Sequence, residues 1–144
     1  MENGVDIAKI DRFEKEIDNP AFLNKYFTKN EIEYISKKSK KAQTLAGLFC
    51  AKEAILKAFG MGIGREISLR DISILHDDFG KPYVEINSKL NYYLMKKNSQ
   101  QICVSISHDG EYAIAFCVIN WVFSNQIAKL CWKIIGCGKN WNIL

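Results

Sequence analysis

At 144 residues the chain fits one domain, long enough to enclose a core but modest in the surface it can bury. Its balance is mildly basic, with 20 Lys and Arg against 16 Asp and Glu, yet the basic residues do not alternate with aromatics and no groove-reading motif accompanies them, which argues against nucleic acid. No apolar run approaches the roughly 20 residues needed to cross a bilayer, and no charged-then-apolar start resembles a secretory signal, so no membrane partner is expected.

The chain opens on Val5-Asp-Ile-Ala-Lys-Ile10, which reads as a short strand over residues 4 to 10. Val5 and Ile7 point to one face and Asp6 to the other, so this isolated carboxylate projects beside whatever the strand packs on. Asp11 is placed to cap a short helix, and Asn19-Pro20 restarts the chain, since proline suits a first helical turn. Thr28-Lys-Asn-Glu31 reads as a capping box opening the next helix. Lys37-Lys-Ser-Lys-Lys41 is a solvated helix end or a field that speeds encounter with an acidic partner.

A helix from about Ala42 to Phe59 follows, apolar on nearly every side yet carrying Lys52, Glu53 and Lys57. A helix hydrophobic all round is buried, and charges on it need partners. Glu53 and Lys57 lie one turn apart, so one reading is an ordinary i,i+4 ion pair. The other joins them to Asp6: two carboxylates and a lysine on rigid elements are the makings of a magnesium and phosphate site. Gly60 is a natural terminator for this helix.

Beyond Gly60, Asp71-Ile-Ser-Ile-Leu75 alternates as a strand, and Asp77-Asp-Phe-Gly-Lys-Pro82 turns the chain into Tyr83-Val-Glu-Ile86. Ser88 is placed to cap a helix reaching Lys97. Ile102 to Ser107 and Tyr112 to Ile119 form a second hairpin around His108-Asp-Gly-Glu111. Strands grouped after helices indicate an α+β fold. The five cysteines form no CxxC pair, and His76 and His108 are the only histidines, so structural zinc is not expected. Thiols within apolar patterns point to a reducing cytoplasm.

Gly4-Val-Asp-Ile-Ala-Lys-Ile-Asp-Arg-Phe13, Phe49-Cys-Ala-Lys-Glu-Ala-Ile-Leu-Lys-Ala-Phe-Gly60, Gly80-Lys-Pro82 and Val104-Ser-Ile-Ser-His108 together resemble, in order and spacing, the holo-acyl-carrier-protein synthases, the short class of 4'-phosphopantetheinyl transferases. The resemblance covers residues 4 to about 119. It implies one transferase domain over residues 1–120, a helical first half packed on an antiparallel sheet. It also implies Mg2+-dependent transfer of the phosphopantetheine arm of coenzyme A to a serine of apo acyl carrier protein, in support of fatty acid biosynthesis. A catalytically weak module of the same fold that binds carrier protein or coenzyme A is the alternative.

By the same resemblance Asp6 and Glu53 match the magnesium ligands, and Lys57 matches the lysine that balances or protonates the leaving phosphate. Glu53, Asp6 and a metal-bound water remain alternative bases. Lys52, Lys57, Gly60, Gly62, Gly64, Gly80, Lys81, Pro82 and His108 match positions around coenzyme A, while Arg12 matches a contact to the carrier protein. Read without the resemblance, Lys52 is a salt-bridged surface lysine, the three glycines are a helix exit and His108 is a turn histidine. The short class assembles as a homotrimer with coenzyme A between subunits. Three features depart from the pattern: Leu48 stands where relatives commonly place arginine, the start Met1-Glu-Asn-Gly4 looks clipped relative to the family's opening, and residues 121–144 form an extension that reads as an amphipathic helix or a disordered tail.

Overall fold

The computed structural model of the chain describes residues 1–61 and 66–121. Its central element is helix α3, Lys41–Phe59, which buries Leu45, Leu48, Cys50, Ala51, Ala54, Ile55, Leu56 and Phe59 on several faces at once. Full burial of each large aliphatic or aromatic side chain contributes about 1.5–3 kcal/mol. Gly60 ends the helix in the left-handed conformation, with φ +74°.

Beneath α3 lies a three-stranded antiparallel sheet in the order β1 (Glu2–Lys9), β5 (Tyr112–Trp121), β4 (Ser99–Asp109). The register sets Asp6 opposite Ala115 and Ala115 opposite Ile106. Ala8, Ala113, Ala115, Cys117, Ile119 and Ile102 are buried, while Val5, Ile7, Ile114 and Phe116 are exposed on the other face. This follows the strand period of two.

Two glycines set how α3 crosses the sheet. A Cβ on Gly4 would stand 2.1 Å from the Ala54 carbonyl oxygen and 2.7 Å from the Ala58 nitrogen, so β1 lies against the helix backbone. A Cβ on Gly47 would stand 2.7 Å from His108 Nε2 and 2.9 Å from Ile106 Cγ2. The helix therefore runs from β4 near its start to β1 near its end.

Two short helices precede α3. In α1 (Pro20–Tyr26) Asn19 caps the start by accepting from the Phe22 N–H, with proline in the first turn. In α2 (Lys29–Ser36) the expected capping box is present, Thr28 and Glu31 bonding reciprocally. The hairpin of β2 (Ser73–His76) and β3 (Pro82–Glu85) forms a separate two-stranded sheet, and α4 (Ser88–Lys96) links it to β4. The α+β class holds.

Several boundaries differ from the sequence reading, for local reasons. The first strand stops at Lys9 because Ile10–Phe13 turns into a single 3-10 turn, with Asp11 inside that turn instead of capping it. Asp71 does not begin a strand; its carboxylate accepts from the Ser68 N–H and hydroxyl, capping the 3-10 turn Leu69–Asp71. Asn87, not Ser88, caps α4, accepting from the Leu90 N–H at 2.9 Å. The extension beyond Trp121 lies outside the described residues.

Candidate functional site

Asp6 leaves β1 on the side that faces α3, and the close approach at Gly4 brings it alongside the helix. There Lys57 Nζ donates to Asp6 Oδ1 at 2.8 Å and to the Val5 carbonyl at 2.9 Å. Lys57 thus bridges helix and strand; among the described ion pairs the i,i+4 alternative with Glu53 does not occur.

Glu53 sits beside this pair with 9% of its surface exposed, and its Oε1 is buried without a hydrogen-bond partner among the described residues. Burial first, and then the negative charge of Asp6, hold its carboxyl above the usual glutamate range, with Lys57 only partly opposing. A buried carboxylate oxygen lacking a donor is costly unless a cation meets it. Cys50, one turn earlier, is pushed up to about 12 by burial and by Asp6, so its thiol stays protonated, and it donates to the Ala113 carbonyl at 3.5 Å.

Two hard carboxylates with open coordination suit magnesium, which binds through one or two carboxylates plus phosphate oxygens and waters. Among the described residues no group of three or more His, Cys, Asp or Glu forms a self-sufficient metal cage. The donor set fits an ion that substrate phosphates help to hold.

A second cluster forms at the other edge of the sheet. Gly80, Pro82 and His108 meet there around a pocket of about 200 Å³ that is also lined by Tyr34, Thr44, Gly47, Leu48, His76 and Ile106. His108 Nε2 lies 3.1 Å from the Gln43 carbonyl, at the start of α3. Gly80 has φ +82° in a turn where Asp77 Oδ1 accepts from the N–H groups of both Phe79 and Lys81. Lys81 shares that turn without lining the pocket. Leu48 is 1% exposed and forms part of the wall.

Lys52 requires a correction. Its ammonium is fully enclosed, paired with Glu31 at 2.7 Å and bonded to the carbonyls of Tyr26, Leu69 and Ile72 at 2.8–3.0 Å. Every donor is engaged, so it ties α1, α2 and the Leu69–Ile72 segment to α3 and cannot meet a phosphate. Burial lowers its pKa while Glu31 raises it. Gly60 stands at the helix exit, Arg12 is exposed on the 3-10 turn, and Gly62 and Gly64 lie outside the described residues. Sequence reasoning missed Tyr34, His76, Thr44 and Cys50; for Gly47 the signal was a glycine inside a helix, which calls for a packing reason.

Residues 2–117 match the model of the 4'-phosphopantetheinyl transferase superfamily. The chain belongs to this family. Its relatives include a holo-[acyl-carrier-protein] synthase of Fusobacterium nucleatum, 50% identical over 117 residues that make up 81% of this chain and 95% of the relative. A second, from Ruminiclostridium cellulolyticum, is 44% identical over 129 residues, 86% of this chain and 96% of the relative. Among solved structures, the Helicobacter pylori holo-[acyl-carrier-protein] synthase in complex with coenzyme A superposes with a TM-score of 0.72 at 35% identity, covering 82% of this chain and 99% of that one. The Neisseria meningitidis synthase gives 0.74 at 30% identity, covering 83% and 97%. In this 4'-phosphopantetheinyl transferase superfamily member, Asp6 of β1 lies against Lys57 of α3, with Glu53 beside them. Among its described residues no helix is long and apolar enough to cross a membrane.

Proposed function

We propose that this chain is a holo-acyl-carrier-protein synthase: a serine hydroxyl of apo acyl carrier protein attacks the β-phosphorus of coenzyme A, the phosphopantetheine arm moves to the serine, and adenosine 3',5'-bisphosphate leaves. The observation that carries this is the meeting of Asp6, Glu53 and Lys57, with Glu53 Oε1 buried and unpartnered. Phosphoryl transfer asks chiefly for positioning and for neutralising charge on the phosphoryl oxygens. Lys57 supplies a fixed cation, half exposed and so able to reach the substrate. Glu53, Asp6 and a metal-bound water are the candidate acceptors of the serine proton, and of the two carboxylates Glu53 is the one that Lys57 does not engage. Asp6 orients Lys57. Magnesium, held by Asp6 and Glu53, would supply further charge neutralisation at the pyrophosphate.

The proposal extends to assembly as a homotrimer. The carboxylate cluster lies at the β1 edge and the pocket of Gly80, Pro82 and His108 at the β4 edge, two strand spacings or about 10 Å apart with α3 running between them. In this assembly one coenzyme A would lie between subunits, the pocket of one copy serving the carboxylates of its neighbour. The outer face of the sheet supports this, since Val5, Ile7, Ile114 and Phe116 are 40–59% exposed and form a continuous apolar surface by register. Such a patch marks an association site. Exposed Arg12 suits an acidic carrier protein. A cytoplasmic setting and a role in fatty acid synthesis belong to the same proposal; Cys50, Cys103 and Cys117 are free thiols, as a reducing compartment keeps them.

The test is a mass spectrum of apo acyl carrier protein after incubation with the protein, magnesium and coenzyme A. A gain of one phosphopantetheine is expected. An unmodified carrier at high enzyme concentration overturns the reading and leaves the weak binding module.

A further inference from the structure

The chain's two histidines line the same pocket, yet only His108 belongs to a motif. His76 ends β2 and pairs with Pro82 across the hairpin, so it moves with the Gly80–Pro82 turn. Its ring stacks on Tyr34 of α2 with centroids 4.1 Å apart and planes 6° from parallel, and Lys38 Nζ lies 4.2 Å from the centre of the Tyr34 ring. The imidazole is therefore braced from a separate element. Nδ1 is buried without a hydrogen-bond partner among the described residues, and no side-chain hydrogen bond of the described residues involves its Nε2.

A buried lone pair is cheaper to leave unpaired than a buried N–H, which assigns the proton to Nε2 and leaves that edge as a donor in search of an acceptor. Burial and then Lys38 hold His76 below the usual imidazole range, with Asp77 only partly opposing, which favours the neutral ring with one N–H. Among the described residues the lining contains no lysine, arginine or carboxylate; Tyr34, Leu48, Pro82 and Ile106 make it largely apolar. At about 200 Å³ it is smaller than the roughly 300–1,000 Å³ of a site that encloses a whole drug-sized ligand. It suits one uncharged flat ring system, with the phosphates left outside.

We propose that His76, braced by Tyr34, is a specificity-determining residue that reads the purine base of coenzyme A by donating a hydrogen bond from Nε2 to a base acceptor. This rests on the pocket being the nucleotide end of the proposed site. A direct hydrogen bond to an uncharged acceptor sets the size of the effect at up to about tenfold in affinity.

The test compares wild type with His76→Phe, which keeps the stack and removes the donor, His76→Gln, which restores a donor at the Nε2 position, and His108→Ala. Thermal melting confirms folding of each, and KM and kcat are measured with coenzyme A and with the analogue whose ribose bisphosphate lacks the base. The expected result is a KM for coenzyme A raised about five- to tenfold in His76→Phe, near wild type in His76→Gln, with kcat unchanged and the abasic analogue indifferent to either change. If His108→Ala weakens coenzyme A and His76→Phe does not, the pocket reading stands and the role of His76 is wrong. If neither affects coenzyme A, the pocket reading itself fails. Equal weakening of both substrates by His76→Phe also overturns the inference, because His76 would then only hold the turn in place.

Discussion

Lys57 donates to Asp6, 51 positions away in sequence, and so joins the last turns of α3 to β1 across the mouth of the carboxylate cluster. The pairing leaves Glu53, on the same helix, with an unpartnered buried oxygen. The three residues form one electrostatic unit, and units lose function as a whole. Asp6→Asn and Glu53→Gln are each expected to lower transfer by on the order of 100-fold or more, and the double variant should be little worse than either. Initial rates at limiting and saturating magnesium check this. Near-normal turnover of either single variant at limiting magnesium would remove the metal from the assignment.

The Lys52–Glu31 pair predicts a different pattern. Both side chains are fully enclosed, and removing one strands the other. Lys52→Met should destabilise the fold by about 3–5 kcal/mol, and Lys52→Met with Glu31→Leu should recover part of that loss, as a buried pair replaced by apolar groups does. Full recovery is not expected, because the Tyr26, Leu69 and Ile72 carbonyls also lose their donor. Urea unfolding of Lys52→Met, Glu31→Leu and the double variant measures the coupling. Lys52→Met with wild-type stability and weakened coenzyme A binding would return Lys52 to the substrate.

What the sequence made legible was local. Thr28 with Glu31, Asn19 with Pro20, and Gly60 each act within one turn of chain, so their side-chain chemistry could be read directly. Asp6, Glu53 and Lys57 could be grouped because an apolar helix and strand leave few places for charge. The double duty of Glu31 was hidden: the capping box announced one partner, while Lys52 and the Ile74 N–H arrive from 21 and 43 residues away. The Tyr34–His76 stack was equally out of reach, since only the packing of the β2–β3 hairpin on α2 brings those rings together. Lys52 was misjudged for the same reason: an all-round apolar helix says that a charge is enclosed, not which oxygens enclose it.

Gly4 and Gly47 test whether close approach, and not flexibility, explains the two glycines. Gly4→Ala places a methyl 2.1 Å from the Ala54 carbonyl oxygen, which backbone movement alone can relieve. It should destabilise by about 1–3 kcal/mol and lower activity further than that loss explains, because Asp6 moves with β1. Gly47→Ala presses on His108 Nε2, and its main effect should be a higher KM for coenzyme A. Thermal melts and steady-state kinetics separate the two. A harmless Gly4→Ala would mean that β1 and α3 have slack between them.

Asp71 gives a pH signature. Burial pushes its carboxyl up, but hydrogen bonds from Lys89 and from the Ser68 N–H and hydroxyl outweigh that and hold it below the ordinary aspartate range. A depressed folded pKa contributes stability that is fully present above the unfolded value of about 3.9 and is lost as pH falls through the folded value. Asp71→Asn should therefore melt below wild type at pH 6, and the gap should close under more acidic conditions. A constant gap across that range would assign the effect to the lost cap alone.

The outer sheet face carries the last prediction. Ile7 is 59% exposed and pairs with Ile114, and Phe116, 47% exposed, stands opposite both Val5 and Ser105. A charge placed among these residues is easily solvated in a monomer and excluded from an apolar interface, so Ile7→Lys should leave the subunit folded and abolish assembly. Sedimentation should shift from trimer to monomer while the far-UV circular dichroism stays unchanged, and transfer should fall with assembly. Mixed trimers of Glu53→Gln and His108→Ala subunits then test the shared site. If pocket and carboxylates come from different chains, one junction in about four has both halves intact, the product of two one-half chances, and co-expression restores about a quarter of wild-type activity at limiting coenzyme A. If each chain carries its own complete site, no junction is restored and the mixture stays as inactive as its parents. An Ile7→Lys monomer with full activity would remove the shared site altogether.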